Sequence, residues 1–172
     1  AGNVGTTAAS LTVTVDTGVP VPVLAVKAGE DANVNATETS VNIEVSSTGL
    51  AAGDVIQLKS GGVNIGTAYT VLAADVTAGK ATINVLKSAL GADGAKTLTA
   101  TVTDLAGNVG TTAASLAVTV DTALPVPVLA IKTGEDAYVN ATETSVNIEV
   151  SSTGLAAGDV IQLKSGGANI GT

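Results

Sequence analysis

The chain has no cysteine, histidine, arginine, phenylalanine, tryptophan or methionine, and only two tyrosines among 172 residues. Without cysteine there is no disulfide, no thiolate nucleophile and no zinc–sulfur site. Without histidine the usual general base and the commonest transition-metal ligand are missing. Arginine is the side chain best shaped for phosphate, and its absence together with a net charge of −8 argues against nucleic acid as a partner. No apolar run approaches the roughly 18 residues of a membrane span, so membrane insertion is not expected. No leader peptide is visible, but a chain that starts inside a repeat says nothing about export. A glycosidase needs two carboxylates in a cleft lined by aromatic or hydrogen-bonding groups, and this composition offers little to line one. Neither catalysis nor a small-molecule substrate is expected.

What the chain does have is short aliphatic side chains and repetition. Hydrophobic residues make up 45% of it, nearly all Val, Ala, Leu and Ile, against 13% charged residues and 20 glycines. That balance describes a folded β protein and not a disordered tail. Residues 1–67 recur as residues 106–172, a period of 105, with seven differences: Thr12/Ala117, Gly18/Ala123, Val19/Leu124, Val26/Ile131, Ala28/Thr133, Asn33/Tyr138 and Val63/Ala168. Such a period is too long for one coil of a solenoid and suits a small domain with its own core. Residues 18–122 therefore read as one complete domain. Residues 1–17 read as the C-terminal strand of a preceding repeat, and residues 123–172 as the N-terminal part of a following one. Without large aromatic anchors the core should be modestly stable unless something else contributes.

Within 18–122 the hydrophobic period is two. Val19–Val26 carries Pro20 and Pro22 and is expected at a sheet edge, since proline cannot donate to a ladder. A polar segment, 29–38, follows. Five inward rows then alternate with polar neighbours: Val41, Ile43 and Val45; Ile56 and Leu58; Ala81, Ile83 and Val85; Leu98, Ala100 and Val102; Leu116, Val118 and Val120. Gly61-Gly62 and Asp93-Gly94 read as hairpin turns, and Asp104–Asn108 as the turn into the last strand. Helical patterning goes no further than short turns at 51–54 and 73–76. About seven short strands separated by turns predict an all-β fold, an Ig-like β-sandwich with Greek-key connections, repeated in tandem. At Asp16-Thr17 and Asp121-Thr122 one unit runs into the next within a few residues and without a Gly/Ser linker. A joint that short is stiff or bistable, not a free tether.

The carboxylates are the charged groups left for special chemistry, and they cluster. Glu30 and Asp31 lie close to Asn33, Asn35 and Glu38, Asp104 lies near Asn108, and Asp121 marks the joint. Hard oxygen ligands gathered at the ends of a sandwich suit calcium, which takes about six to eight oxygens. The competing reading makes the same residues turn formers, because Asp and Asn bond their own backbones. An EF-hand is not expected, since Asp31-x-Asn33-x-Asn35 is followed by Ala36 where that loop needs glycine, and the next carboxylate, Glu38, comes too early. Asn33 also becomes Tyr138 in the second copy, so its side chain is not an essential ligand in both. The outward row Thr97, Thr99, Thr101 and Thr103 fits an exposed strand face. The Asn35-Ala36-Thr37 sequon is too common a pattern to carry weight.

Several motifs occur in a telling order. Val120-Asp121-Thr122 followed by prolines, Val34-Asn35-Ala36-Thr37-Glu38, Gly53-Asp54-Val55 and Thr103-Asp104-Leu105-Ala106-Gly107-Asn108 together resemble the bacterial Ig-like repeats of giant RTX-type surface adhesins. The resemblance spans the whole chain. It implies an extracellular stalk on the bacterial surface, exported by type I secretion, whose near-identical repeats join end to end. Calcium would stiffen that stalk so that a distal binding domain is held away from the cell. By position, the resemblance implies calcium ligands at Asp104, Asn108, Asp121, Glu135 and Asp136 around one junction. It implies Asp16, Glu30 and Asp31 around the junction before it. The alternative is a binding module that itself grips a carbohydrate or protein, but such modules present aromatic or arginine hot spots that this composition lacks.

Overall fold

The computed structural model describes all residues except 3, 4, 6, 7, 9, 156, 157, 171 and 172. The chain forms two compact units, residues 1–122 and residues 123–172. In chain order the first unit holds β1 (Pro22–Val26), β2 (Asn33–Asn35), β3 (Ser40–Ser47), β4 (Val55–Ser60), β5 (Val63–Asn64) and β6 (Tyr69–Thr70). It continues through α1 (Ala73–Ala78), β7 (Ala81–Leu86), α2 (Lys87–Leu90), β8 (Gly94–Thr103), β9 (Val109–Thr111) and β10 (Leu116–Asp121).

These strands make two sheets. One has the order β1-β3-β7. The other has the order β2-β10-β8-β4-β5, with β6 added to β4 and β9 to β8. The alternating rows explain why the sheets stack. Each row puts aliphatic side chains on one face, and the faces meet in a single core of Val41, Ile43 and Val45 against Ile56, Leu98, Val102, Val118 and Val120. Full burial of one such side chain stabilises by about 1.5–3 kcal/mol relative to leaving it in water. β1 is an edge strand, as its prolines require: Pro22 opens it opposite Ser47 and Pro20 precedes it.

Four features differ from expectation, one of them the short helix α2, which forms where no helical patterning was read. The segment 29–38 is not all loop, because β2 pairs in parallel with β10 and buries Val34 to 1% exposure. Of the two turns with helical patterning, 73–76 grows into α1, which ends at the left-handed Gly79, while 51–54 stays a turn. The expected strand over residues 1–17 is not formed among the described residues there. Leu11, Val13 and Val15 are 88%, 73% and 83% exposed. Their counterparts Leu116, Val118 and Val120 form a strand because β8 and β2 flank them, and no strand flanks residues 11–15.

The second unit holds β11 (Pro127–Ile131) paired with β12 (Ile148–Ser152), and β13 (Leu163–Ser165) paired with β14 (Ala168–Ile170). Pro127 faces Ser152 as Pro22 faces Ser47, so the register of the repeat is reproduced. Leu129, Ile161 and Ile170 are exposed, whereas their counterparts Leu24, Ile56 and Ile65 belong to the core of the first unit or pack against it.

In the first unit the chain enters and leaves at opposite ends. β8 and β10 are antiparallel, with Leu116 opposite Leu98 and Val120 opposite Gly94. Asp121 therefore ends beside the start of β8 and is paired with Asn35, which defines the exit pole. The incoming residues Asp16–Pro20 lie at the other pole, where Asn108 donates its side-chain amide N–H to the Asp16 carbonyl at 3.2 Å.

Candidate functional site

At the exit pole the carboxylates serve the backbone. Asp31 accepts the Asn33 N–H at 2.7 Å, and Asp136 accepts the Tyr138 N–H at 2.8 Å in the second unit. The bond uses only the main chain of its partner, which is why Asn can become Tyr there without loss of the turn. Glu30 accepts both the backbone N–H of Asn42 (2.8 Å) and its side-chain amide (2.6 Å), tying the segment after β1 to β3. Those two bonds hold the Glu30 carboxyl below its ordinary range, with a smaller contribution from Lys27. Glu135 makes the same pair with Asn147 and is lowered for the same reason. Asn35 accepts the N–H and hydroxyl of Thr37 and receives no other role from its sequon. Asp93 fastens the end of β10 by accepting the N–H (3.0 Å) and the hydroxyl (2.8 Å) of Thr122.

The entry pole is built differently. The turn after β8 is closed by Asp104, whose carboxylate accepts the backbone N–H of Asn108 at 2.8 Å and its side-chain amide at 2.9 Å. The Asn108 side chain foremost, and then the backbone N–H groups of the turn, hold the Asp104 carboxyl below its ordinary range against some opposing desolvation. Asp16 accepts the Gly18 N–H at 2.9 Å. Asp54 accepts the Ala51 N–H through Oδ2 at 2.8 Å, while its Oδ1 is buried with no hydrogen-bond partner. Asp54 is 1% exposed, the one buried charged residue among those described. Asp16, Asp54 and Asp104 line one cavity of about 340 Å³, together with Thr48, Pro20 and Leu105.

These placements correct the expected ligand groups. Asp104 and Asn108 are not brought to Asp121, because the ten-residue strand β8 separates the two poles. At about 3.3 Å per residue that is roughly 30 Å. Asp16 precedes β1 while Glu30 and Asp31 follow it, so those three are separated as well. Glu135 and Asp136 lie in the second unit, in local arrangements that copy Glu30 and Asp31. Among the described residues no three carboxylates are gathered closely enough to hold a metal ion by themselves. The donor chemistry of the entry pole nevertheless fits a hard cation. An unsatisfied carboxylate oxygen costs free energy when buried, and a cation is one of the few partners that would satisfy it. Asp54 was not among the candidates read from the sequence. The signal was there: Asp54, Ile56 and Leu58 share parity, so the inward row of β4 extends back onto a carboxylate.

A family model described as a bacterial Ig-like domain matches residues 18–122. Among solved structures the chain is similar to the fibronectin(III)-like modules of Clostridium thermocellum CbhA, with 15% identity and a TM-score of 0.43. That alignment covers 77% of this chain and 64% of that one, so the chain spans less than two thirds of its length. No curated protein matches.

Proposed function

Since the chain belongs to the bacterial Ig-like domain family, we propose that it is an extender, a structural repeat whose work is to add length and stiffness to a surface protein. The observation that carries this reading is the placement of the two poles. The chain enters the sandwich of the first unit beside Asn108 and leaves it beside Asn35, at opposite ends, as an extender requires. Five residues, 122–126, separate β10 from β11, too few for a loose tether. The finer form of the proposal is a calcium-stiffened stalk of an RTX-type adhesin on the bacterial surface. The motif order resembles most the extender repeats of an ice-binding adhesin of an Antarctic marine bacterium, whose ice-binding activity belongs to another domain. The reading is structural and calls for no catalysis, and the partners of each repeat are its neighbours end to end.

Asp121 is the counterpart of Asp16 one repeat on. In the proposal both are junction carboxylates, which repel nearby like charges in the absence of a cation and bridge to a neighbour in its presence. At tenfold excess over its dissociation constant, each bound ion adds about 1.4 kcal/mol, a large share of a small domain's stability. The test is small-angle scattering on four copies of residues 18–122 in series, with calcium and with chelator. Calcium should lengthen the maximum dimension, and Asp121→Ala, introduced in every copy, should return it toward the chelated value. A mutant as extended as the parent would remove the junction from the explanation.

A further inference from the structure

The core of the first unit shows what the open surface of the second is shaped to receive. We propose that residues 11–15 of one copy of this chain add as a strand to the second unit of another copy, parallel to residues 138–140, so that copies join head to tail. No ion takes part, so this pairing is independent of the calcium reading.

Donor and acceptor are both present and both unused. Leu11-Thr12-Val13-Thr14-Val15 alternates apolar and polar residues, the pattern of a half-buried strand, yet it forms none. Val13 and Val15 are exposed, whereas their counterparts Val118 and Val120 are buried in the first unit. On the acceptor side Val139 is 55% exposed, against 1% for its counterpart Val34. The second unit also holds an open cavity of about 510 Å³ lined by Leu129, Val150, Leu155, Ile161 and Leu163. Their counterparts Leu24, Val45, Leu50, Ile56 and Leu58 lie in or against the core that Val118 and Val120 help to fill. Among the described residues of the second unit, nothing plays the part of β10.

The repeat supplies the register. In the first unit Thr119 lies opposite Asn33 and Val120 opposite Val34, and the Thr119 N–H donates to the Ala32 carbonyl at 2.8 Å. Carried over by 105 residues, Thr14 would face Tyr138, Val15 would face Val139, and the Thr14 N–H would reach the Ala137 carbonyl. That contact uses the main chain, so the change of Asn33 to Tyr138 does not impair it. The acceptor backbone is already set. Tyr138 and Asn140 donate their N–H groups to Asp136 (2.8 Å) and Glu143 (2.9 Å), as Asn33 and Asn35 donate theirs to Asp31 (2.7 Å) and Glu38 (2.8 Å) beside β10. A segment ordered beforehand loses little freedom when its partner arrives.

Position selects another copy as the partner. Asp16, which follows the donor strand, is held at the entry pole by Asn108, while the chain departs for the second unit from the exit pole. In the first unit the place between β2 and β8 is occupied by β10. Strand addition of this kind joins two different surfaces and leaves one donor and one acceptor unused at the ends, so copies string together instead of closing as a pair.

The test uses the full chain in chelator and follows its mass by sedimentation equilibrium as the concentration rises. The parent should grow beyond the dimer. Val13→Asp combined with Val15→Asp removes the donor, and Val139→Asp removes the acceptor. All three positions are exposed, so the fold of each chain is kept. Either variant alone should stay monomeric. Mixed in equal amounts, they should form a one-to-one dimer and nothing larger, because one intact donor then meets one intact acceptor. Thr12→Asp adds a charge on the outward face of the donor, where its counterpart Ala117 is exposed, and should assemble like the parent. A parent that is monomeric at every concentration overturns the proposal. So do assembly by either variant alone, a mixture that fails to pair, and loss of assembly in Thr12→Asp.

Discussion

At Gly110 a hydrogen atom is all that fits between β9 and the incoming chain. A Cβ built there would drive into the carbonyl of Pro20, which is backbone and has little room to give. At Gly53, by contrast, the nearest obstacle is the flexible side chain of Leu105, although a left-handed φ of 100° restricts that position independently. Gly110→Ala should therefore destabilise the unit by about 2 kcal/mol or more, read as a lower urea midpoint at unchanged slope. An unaltered midpoint would show that the Pro20 segment can retreat without cost. The role of Gly110 was not legible in the sequence, since its neighbour lies 90 residues away and Val109-Gly110-Thr111 has no turn signature. Glu30 shows the opposite limit. Its place among acidic residues was plain, yet its engagement by Asn42 depends on how β1 folds back on β3, which no local pattern reports.

The strands with long alternation were legible, and the short ones were not. β3, β4, β8 and β10 repeat an aliphatic residue every second position, whereas β2 has a single inward residue, Val34, and nothing to alternate with. The parallel pairing of β2 with β10 is fixed by tertiary contact. Asp93 secures that region, because its bonds to Thr122 pin the end of β10 to the turn before β8. The Thr122 hydroxyl foremost, then its N–H, with Lys87 and Lys96 nearby, hold the Asp93 carboxyl below its ordinary 3.8. A lowered folded-state pKa contributes stability that is complete above the unfolded value and is lost as pH falls through the folded one. Asp93→Asn should consequently melt below the parent at neutral pH, and the gap should close on acidification below about 3.8. A melting series from neutral to acid pH checks this, and a gap that persists in acid would show that the charge is not what fastens the strand.

At the scale of the molecule, the repeat told which segments share a register but not which ends share a pole. That second fact was nevertheless within reach. The chain turns back at Asp104–Asn108 and runs antiparallel to β8 through β9 and β10, so the residue ending β8 and the residue ending β10 lie at opposite ends, and Asp104 and Asp121 could not have met. The same geometry has a mechanical consequence. A pull on the two ends of the first unit draws β1 along its own axis against β3, and β10 along its axis against β8 and β2. The ladders are then loaded in shear, so their hydrogen bonds share the force and give way together instead of opening one after another like a zipper. Single-molecule stretching can compare handles at residues 18 and 122 with handles at residues 36 and 122, both near the exit pole. The first pair should rupture at a much higher force, and equal forces would mean that strand direction does not govern how this unit bears tension.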